Sequence, residues 1–270
     1  MKKFFILLIL VASSLFAKER LVVLDPASIE IIYLLGAGDE IVGIASLQHS
    51  NIYPEQETKK LTSVGTFSNP SLEKIVALKP SLVILSSYST NLEARLKQLG
   101  IKTLFLKAQE LKDLEKNVYE IARFLKKEKE AKKVLENFNK ELNELKKDPI
   151  DKSAIYLFAS NPLMAFSDNS LVADILRILG IKNLTVKSEI QRPIISSEFI
   201  LKQDPDMIIL GITVEDSKEL IKQNQVLQNT KAYKNGHIFS YDKTHSLLRL
   251  SPTMVDRIKE FKQVLKSNLQ

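Results

Sequence analysis

One stretch of this chain is written twice. Residues 73–85 read Glu-Lys-Ile-Val-Ala-Leu-Lys-Pro-Ser-Leu-Val-Ile-Leu, and residues 198–210 read Glu-Phe-Ile-Leu-Lys-Gln-Asp-Pro-Asp-Met-Ile-Ile-Leu. Glu73 and Glu198, Ile75 and Ile200, Pro80 and Pro205, Ile84 and Ile209, and Leu85 and Leu210 hold matching places. Each copy predicts a short helix, a proline that stops it and a buried strand. A duplicated helix-to-strand unit implies two α/β lobes of similar build. It also sets one acidic residue at the same place in each lobe, where a two-fold symmetric partner would meet both.

The rest of the chain fits that reading. Leu21–Leu24, Ile41–Ile44 and Thr103–Leu106 are apolar strand runs, and Ser28–Leu35 has helical spacing with Gly36 as its stop. Residues 46–62 read as a polar loop, residues 68–71 as a turn and residues 86–90 as a Ser/Tyr/Thr loop before a helix ending at Leu99-Gly100. Residues 109–147 contain neither Gly nor Pro and are rich in Lys and Glu. Leu111, Leu114, Val118, Ile121 and Leu125 follow helical spacing; Lys126–Glu130 breaks the phase, and Val134, Phe138, Leu142 and Leu145 resume it. Two successive helices follow, the second long, with charged runs as its solvated face. The α/β pattern then restarts. Ala154–Phe158 and Ile238–Tyr241 are strands, Ser170–Leu179, Ser217–Gln223 and Thr253–Leu265 are helices, and residues 185–197 are a loop. The expected organisation is an N-terminal α/β lobe over 18–125, a bridging helix over 126–149 and a C-terminal α/β lobe over 150–270. A ligand would bind in the cleft between the lobes.

The first residues bear on compartment. Met1-Lys2-Lys3 is basic, Phe4–Ala12 is an apolar run short for a bilayer, and Ser13–Ala17 offers a cleavage point. Residues 1–17 therefore read as a secretory signal peptide. There is no cysteine, so disulfides, thiolate chemistry and a lipidated cysteine at the cleavage point are excluded. The expected product is a free periplasmic protein, a monomer. The formal net charge of +7 includes Lys2 and Lys3. It is compatible with an anionic ligand or membrane proximity, but there is no basic stripe with interleaved aromatics, so a nucleic-acid partner is not expected.

Marks of catalysis are missing. The chain has no P-loop, no G-x-G-x-x-G, no G-x-S-x-G and no H-E-x-x-H. A secreted α/β enzyme would therefore lack any catalytic constellation legible here. His49, His237 and His245 are not at zinc-like spacings, although three scattered histidines could converge on a bare divalent ion. Glu73 and Glu198 can serve as helix-start acids favoured by the helix dipole, with Ser71 and Ser196 or Ser197 as caps. Their duplication favours a pair of carboxylates ready for two arginines.

Three segments carry a resemblance. They are Val22-Val23-Leu24-Asp25-Pro26-Ala27-Ser28-Ile29-Glu30, Leu35-Gly36-Ala37-Gly38-Asp39-Glu40-Ile41-Val42-Gly43-Ile44, and Val64-Gly65 followed by Asn69-Pro70-Ser71-Leu72-Glu73 through Pro80. With Val226–Phe239 and Arg249-Leu250-Ser251-Pro252, they resemble the periplasmic substrate-binding proteins of ABC importers, in the branch that carries cobalamin, ferric siderophores and haem. The resemblance covers essentially the whole chain after residue 17 and is generic over 109–147. It implies two Rossmann-like lobes joined by a single long helix (a class III binding-protein fold), limited hinge motion and no catalysis. It also implies that Glu73 and Glu198 dock on arginines of an inner-membrane permease dimer served by an ATPase.

Ligand contacts transfer residue by residue. Phe67 holds the place of an aromatic six residues before the first glutamate, and Tyr88 lies near a second aromatic place. Arg192 stands where the cobalamin binders carry Trp, Arg249 matches their Arg before Ser-Pro, and His245 replaces their Asp. The chain has no Trp, and Thr66 occupies the place where haem binders often carry Tyr. Cationic character thus replaces part of an aromatic clamp. Arg192, Arg249, His245 and Tyr88 suit an anionic iron chelate, since Arg pairs with carboxylate or catecholate oxygens and Tyr or His can complete a metal's coordination. The expected cargo is a ferric siderophore or haem. Cobalamin (a corrinoid) and a bare divalent ion held by His49, His237 or His245 stay open as alternatives. No catalytic cofactor is expected.

Overall fold

The computed structural model describes residues 18–48, 50–213 and 216–270. The expected signal peptide, residues 1–17, and His49 lie outside the described residues. Two compact units divide the chain. The first runs to Leu106 and takes in Phe124–Lys126; the second comprises Lys107–Arg123 and Lys127–Gln270.

In the first unit, β1 (Leu21–Val23) leads into α1 (Pro26–Leu34), β2 (Ile41–Ser46), α2 (Glu55–Thr58), β3 (Ser63–Thr66), β4 (Asn69–Pro70), α3 (Leu72–Ala77), β5 (Leu82–Leu85), α4 (Glu93–Gln98) and β6 (Lys102–Phe105). The strands form one sheet in the order β4-β3-β2-β1-β5-β6, parallel except for the β3–β4 hairpin. The central strands β1 and β5 are buried along their length, which is why they read as unbroken apolar runs. Val22, Leu24, Ala45, Val64, Ile75, Val83, Leu85 and Leu96 form one core layer.

Two helices follow: α5 (Asp113–Leu125) and α6 (Glu128–Lys146). The break between them falls at Lys126, whose φ of 56° is left-handed, where the hydrophobic phase slips. The long helix α6 buries Ala131, Leu135, Phe138, Leu142 and Leu145 and leaves its Lys/Glu face to solvent.

The second unit continues through β7 (Lys152–Ser160), β8 (Leu163–Ala165), α7 (Leu171–Ile178), β9 (Ile181–Asn183), α8 (Ser197–Gln203), β10 (Met207–Thr213), α9 (Ser217–Gln223), α10 (Lys231–Lys234), β11 (Ile238–Ser240), α11 (Thr244–Leu247) and α12 (Met254–Asn268). Its sheet runs β11-β10-β7-β8, with β9 also paired to β7. The trio β7-β10-β11 repeats the parallel order of β1-β5-β6, with the two copies of the duplicated segment supplying β5 and β10. The long helix α6 packs on α7 and α12, where Lys262 donates to the Leu145 carbonyl at 3.2 Å.

Both copies keep their geometry in detail. Ile75 and Ile200 are fully buried, and the residue before each proline, Lys79 or Asp204, is left-handed at φ 47° and 45°. That conformation ends each helix and turns the chain into its strand. The sequence reading missed α2, β3, β4, β8, β9, α10 and α11. Each has four residues or fewer, too short for periodicity to show. No helix among the described residues is long and apolar enough to cross a membrane.

Candidate ligand-binding and docking residues

In the first unit, Phe67 occupies the β3–β4 turn. Gly65 makes that hairpin possible: its φ is +125°, and a Cβ there would lie 2.7 Å from the Asn69 carbonyl oxygen. The Phe67 N–H donates to the Ser46 carbonyl at 2.9 Å. Tyr88 follows β5 in a turn closed by two buried serines. The Ser86 N–H donates to Ser89 Oγ at 2.8 Å, and the Ser89 N–H returns a bond to the Ser86 carbonyl at 3.1 Å. Tyr88 itself is 61% exposed. Its ring centroid lies 5.1 Å from that of Phe67, tilted by 59°. The structure thus brings Phe67 and Tyr88 together as an aromatic pair on rigid supports.

In the second unit, Arg192 lies in the segment that connects β9 to α8. That segment is strapped to β8 in antiparallel register. The Gln191 and Pro193 carbonyls accept from Ser167 and Ala165 N–H at 3.0 and 3.1 Å, and the Ile195 N–H donates to the Leu163 carbonyl at 2.9 Å. The guanidinium is centred 4.1 Å from the Phe158 ring and 5.8 Å from Phe166. This is a cation–π arrangement. Sequence reasoning missed Phe158. Its one signal is its place toward the carboxyl end of a parallel strand, where ligands of α/β sheets bind.

His245 is exposed on α11, whereas Arg249 is buried, only 8% exposed. Both are tied to the same interior. Thr244, beside His245, meets the Tyr156 hydroxyl at 2.7 Å, and the Arg249 carbonyl accepts from Arg257 at 3.0 Å. Ring contacts run from Phe158 to Phe166 (5.8 Å), from Phe166 to Tyr156 (5.3 Å), from Tyr156 to Phe261 (5.9 Å) and from Phe261 to Tyr241 (4.6 Å). Burial pushes the Tyr156 hydroxyl far up, and burial with Glu260 and Asp242 nearby pushes Tyr241 up to about 12, so both stay neutral. A groove of about 560 Å³ elsewhere in this unit, walled by Leu114, Leu135, Phe138, Leu142 and Ile178, contains none of the expected ligand residues.

Glu73 and Glu198 occupy the same local frame. Each is exposed in the first turn of its helix, and neither forms an ion pair among the described residues. Ser71 Oγ caps α3 by accepting from Lys74 N–H at 3.3 Å; Ser196, and not Ser197, caps α8 by accepting from Phe199 N–H at 3.1 Å. Hydrogen bonds from its own N–H and from Ser196 and Ser197 hold the Glu198 carboxyl below the usual carboxylate range, so it is charged at neutral pH.

The histidines are not brought together as far as they are described. His237 precedes β11, its Nδ1 3.2 Å from the Asp206 carbonyl, and His245 lies past the other end of that strand. Among the described residues no group of three or more His, Asp or Glu is placed to hold a metal ion.

A family model for periplasmic binding proteins matches residues 21–244. The vitamin B12-binding protein of Pectobacterium carotovorum subsp. carotovorum (strain PC1) is 28% identical over 201 residues, covering 72% of this chain and 71% of that protein. Among solved structures, the periplasmic haem-binding protein of Vibrio cholerae superposes with a TM-score of 0.77 at 21% identity, over 92% of this chain and 99% of the other. The vitamin B12-binding protein of the same organism gives 0.71 at 21% identity, over 93% and 98%.

Proposed function

This chain belongs to the periplasmic binding protein family, and from that premise we propose that it captures a ferric siderophore or haem and hands it to an inner-membrane ABC permease dimer served by an ATPase. It acts in the periplasm as a free monomer once residues 1–17 are removed, and it performs no catalysis. The observation that carries the anionic cargo is Arg192, whose guanidinium is held 4.1 Å from the Phe158 ring. A guanidinium is a planar, permanently charged fork of N–H donors whose geometry suits carboxylate or catecholate oxygens. In the first unit, the Phe67–Tyr88 pair offers π-surface of the kind on which an aromatic ligand stacks. The family resemblance adds Arg249 and His245 of the second unit as further cationic candidates.

Docking is assigned to Glu73 and Glu198, supported by their shared frame of serine cap, buried Ile and left-handed stop. A symmetric permease would present one arginine to each. Two measurements test the reading. The visible spectrum of the protein purified from its native periplasm should show the absorption of an iron chelate; a corrinoid spectrum would instead establish cobalamin, the alternative that the aromatic pair favours. A Glu73→Ala/Glu198→Ala double variant should keep ligand binding and lose permease docking; unchanged docking and uptake would refute the salt-bridge role.

A further inference from the structure

The chain contains no cysteine and four methionines, so its oxidisable sulfur is all thioether. Met1 lies in the expected leader, and Met207 and Met254 are both 0% exposed. Met164, in the middle of β8, differs from them in being only partly buried. Its neighbours Leu163 and Ala165 belong to the hydrophobic core of the second unit, and successive strand residues alternate, so Met164 points to the other face. There it forms an antiparallel bridge with Ile194. On either side of that bridge the Ala165 N–H donates to the Pro193 carbonyl and the Ile195 N–H to the Leu163 carbonyl, at 3.1 and 2.9 Å. Met164 and Ile194 are thus the pair between two hydrogen-bonded ones, the type whose side chains approach most closely. Ile194 is 69% exposed, so the pair is open to solvent from the strap side.

We infer that Met164 is a site of reversible oxidation by peroxides, and that its sulfoxide loosens the strap formed by residues 191–195. In the first step the Sδ lone pair attacks one peroxide oxygen. The O–O bond breaks and an S–O bond forms; sulfur loses two electrons, and the leaving hydroxide takes the proton of the transferred oxygen and departs as water. The product replaces a soft apolar thioether with a strongly polar S–O group beside Ile194. Keeping that group against an aliphatic side chain costs desolvation with no hydrogen bond gained, whereas an open strap lets water reach it. The balance between paired and open strap therefore moves toward open. The strap carries Arg192 and leads straight into α8, whose first turn holds Glu198, so oxidation acts on the segment between those two residues. Neither step depends on which cargo the protein carries.

The test exposes the chain lacking residues 1–17 to hydrogen peroxide at neutral pH. Intact mass should show uptake of one oxygen atom, placed at Met164 by peptide mapping, with Met207 and Met254 reacting only after unfolding in urea. Amide hydrogen exchange at Ala165 and Ile195 should then quicken about tenfold, while Ile208, bonded to the His237 carbonyl inside the sheet, keeps its rate. Methionine sulfoxide reductases acting on both sulfoxide epimers should restore the mass and the slow exchange. Met164→Leu should take up no oxygen and keep slow exchange in peroxide. Met164→Gln, which sets a polar oxygen near the place of the sulfoxide, should exchange quickly without peroxide. Oxygen uptake first at Met207 or Met254, or none at Met164, overturns the inference. A Met164 sulfoxide whose strap exchanges at the untreated rate overturns its second step.

Discussion

The hydroxyls of Tyr156 and Thr244 meet at 2.7 Å inside the second unit, both residues fully buried. Thr244 also donates to the Tyr241 carbonyl at 2.6 Å, so it joins β7 to the turn that opens α11. The pair fixes the helix that bears His245 to the strand that bears Phe158. The two ends of the bond are not equivalent to remove. Tyr156→Phe leaves Thr244 its bond to Tyr241 and should cost about 1 kcal/mol. Thr244→Val leaves the Tyr156 hydroxyl and the Tyr241 carbonyl without this partner and should cost about 2–3 kcal/mol. Urea unfolding of the two variants checks the order; equal losses would mean that the hydroxyl contact has no special weight.

Tyr88 and Ser89 are neighbours with opposite roles. Tyr88 is largely exposed, whereas Ser89 is fully buried and closes the turn beneath it. Tyr88→Ala should leave thermal stability within about 0.5 kcal/mol, as exposed sites do. It should weaken haem binding about tenfold through lost ring contact. Ser89→Ala removes the acceptor for the buried Ser86 N–H and should cost about 1–3 kcal/mol of stability. A Tyr88→Ala variant that melts early and binds normally would reverse the assignment.

Much of this fold was legible because the buried strands are continuous apolar runs and the helices are stopped by Gly, Pro or a phase break. The duplication implied two α/β lobes of similar build, and its two copies supply β5 and β10, which hold matching places in their sheets. Glu73 and Glu198 stand out as candidates through the repeat, and Phe67 and Arg192 through the family resemblance. The base under Arg192 was not legible, because it depends on a tertiary pairing: residues 191–195 lie along β8, and no local pattern predicts which strand a loop will join. Similarly, β8 and β9 have three residues each, and alternation over three residues carries almost no signal. The exposure of Ile194 is a property of that same strap, which the sequence reads only as a loop over 185–197.

Asp25 gives the first unit a pH signature. It caps α1, its carboxylate accepting from the Ser28 N–H at 2.8 Å and from the Ser28 hydroxyl at 2.6 Å. Burial pushes its carboxyl above the usual range despite those bonds, and Glu30 adds to the rise. A carboxyl with a raised folded-state pKa binds more protons folded than unfolded. Its contribution to stability therefore falls as pH rises from the ordinary carboxylate value through the raised one. Asn caps a helix about as well as Asp and does not titrate. Asp25→Asn should thus gain stability over the wild type progressively as pH rises from about 4 toward 7. Urea midpoints across that range measure it; a difference between the two proteins that does not vary with pH would exclude the shifted carboxyl as its source.

Gly65 and Gly36 both have positive φ, +125° and +72°, but they should respond differently to a methyl group. At Gly36 a Cβ meets nothing within 4 Å, so Gly36→Ala should cost only the left-handed backbone strain of about 1 kcal/mol. At Gly65 the Cβ would fall 2.7 Å from the Asn69 carbonyl oxygen and 3.0 Å from Pro70 Cα, across the hairpin itself. Both obstacles are backbone, which cannot swing aside as a side chain does. Gly65→Ala should therefore cost about 2–4 kcal/mol and displace the turn that carries Phe67. Haem affinity should fall with it, because the Phe67 ring loses its 5.1 Å contact with Tyr88. The decisive comparison is Gly65→Ala against Phe67→Ala at a temperature where both remain folded. Loss of affinity in both, with loss of stability mainly in the first, is the expected pattern. Full affinity in Gly65→Ala would show that the hairpin tolerates the shift and that Phe67 does not depend on it.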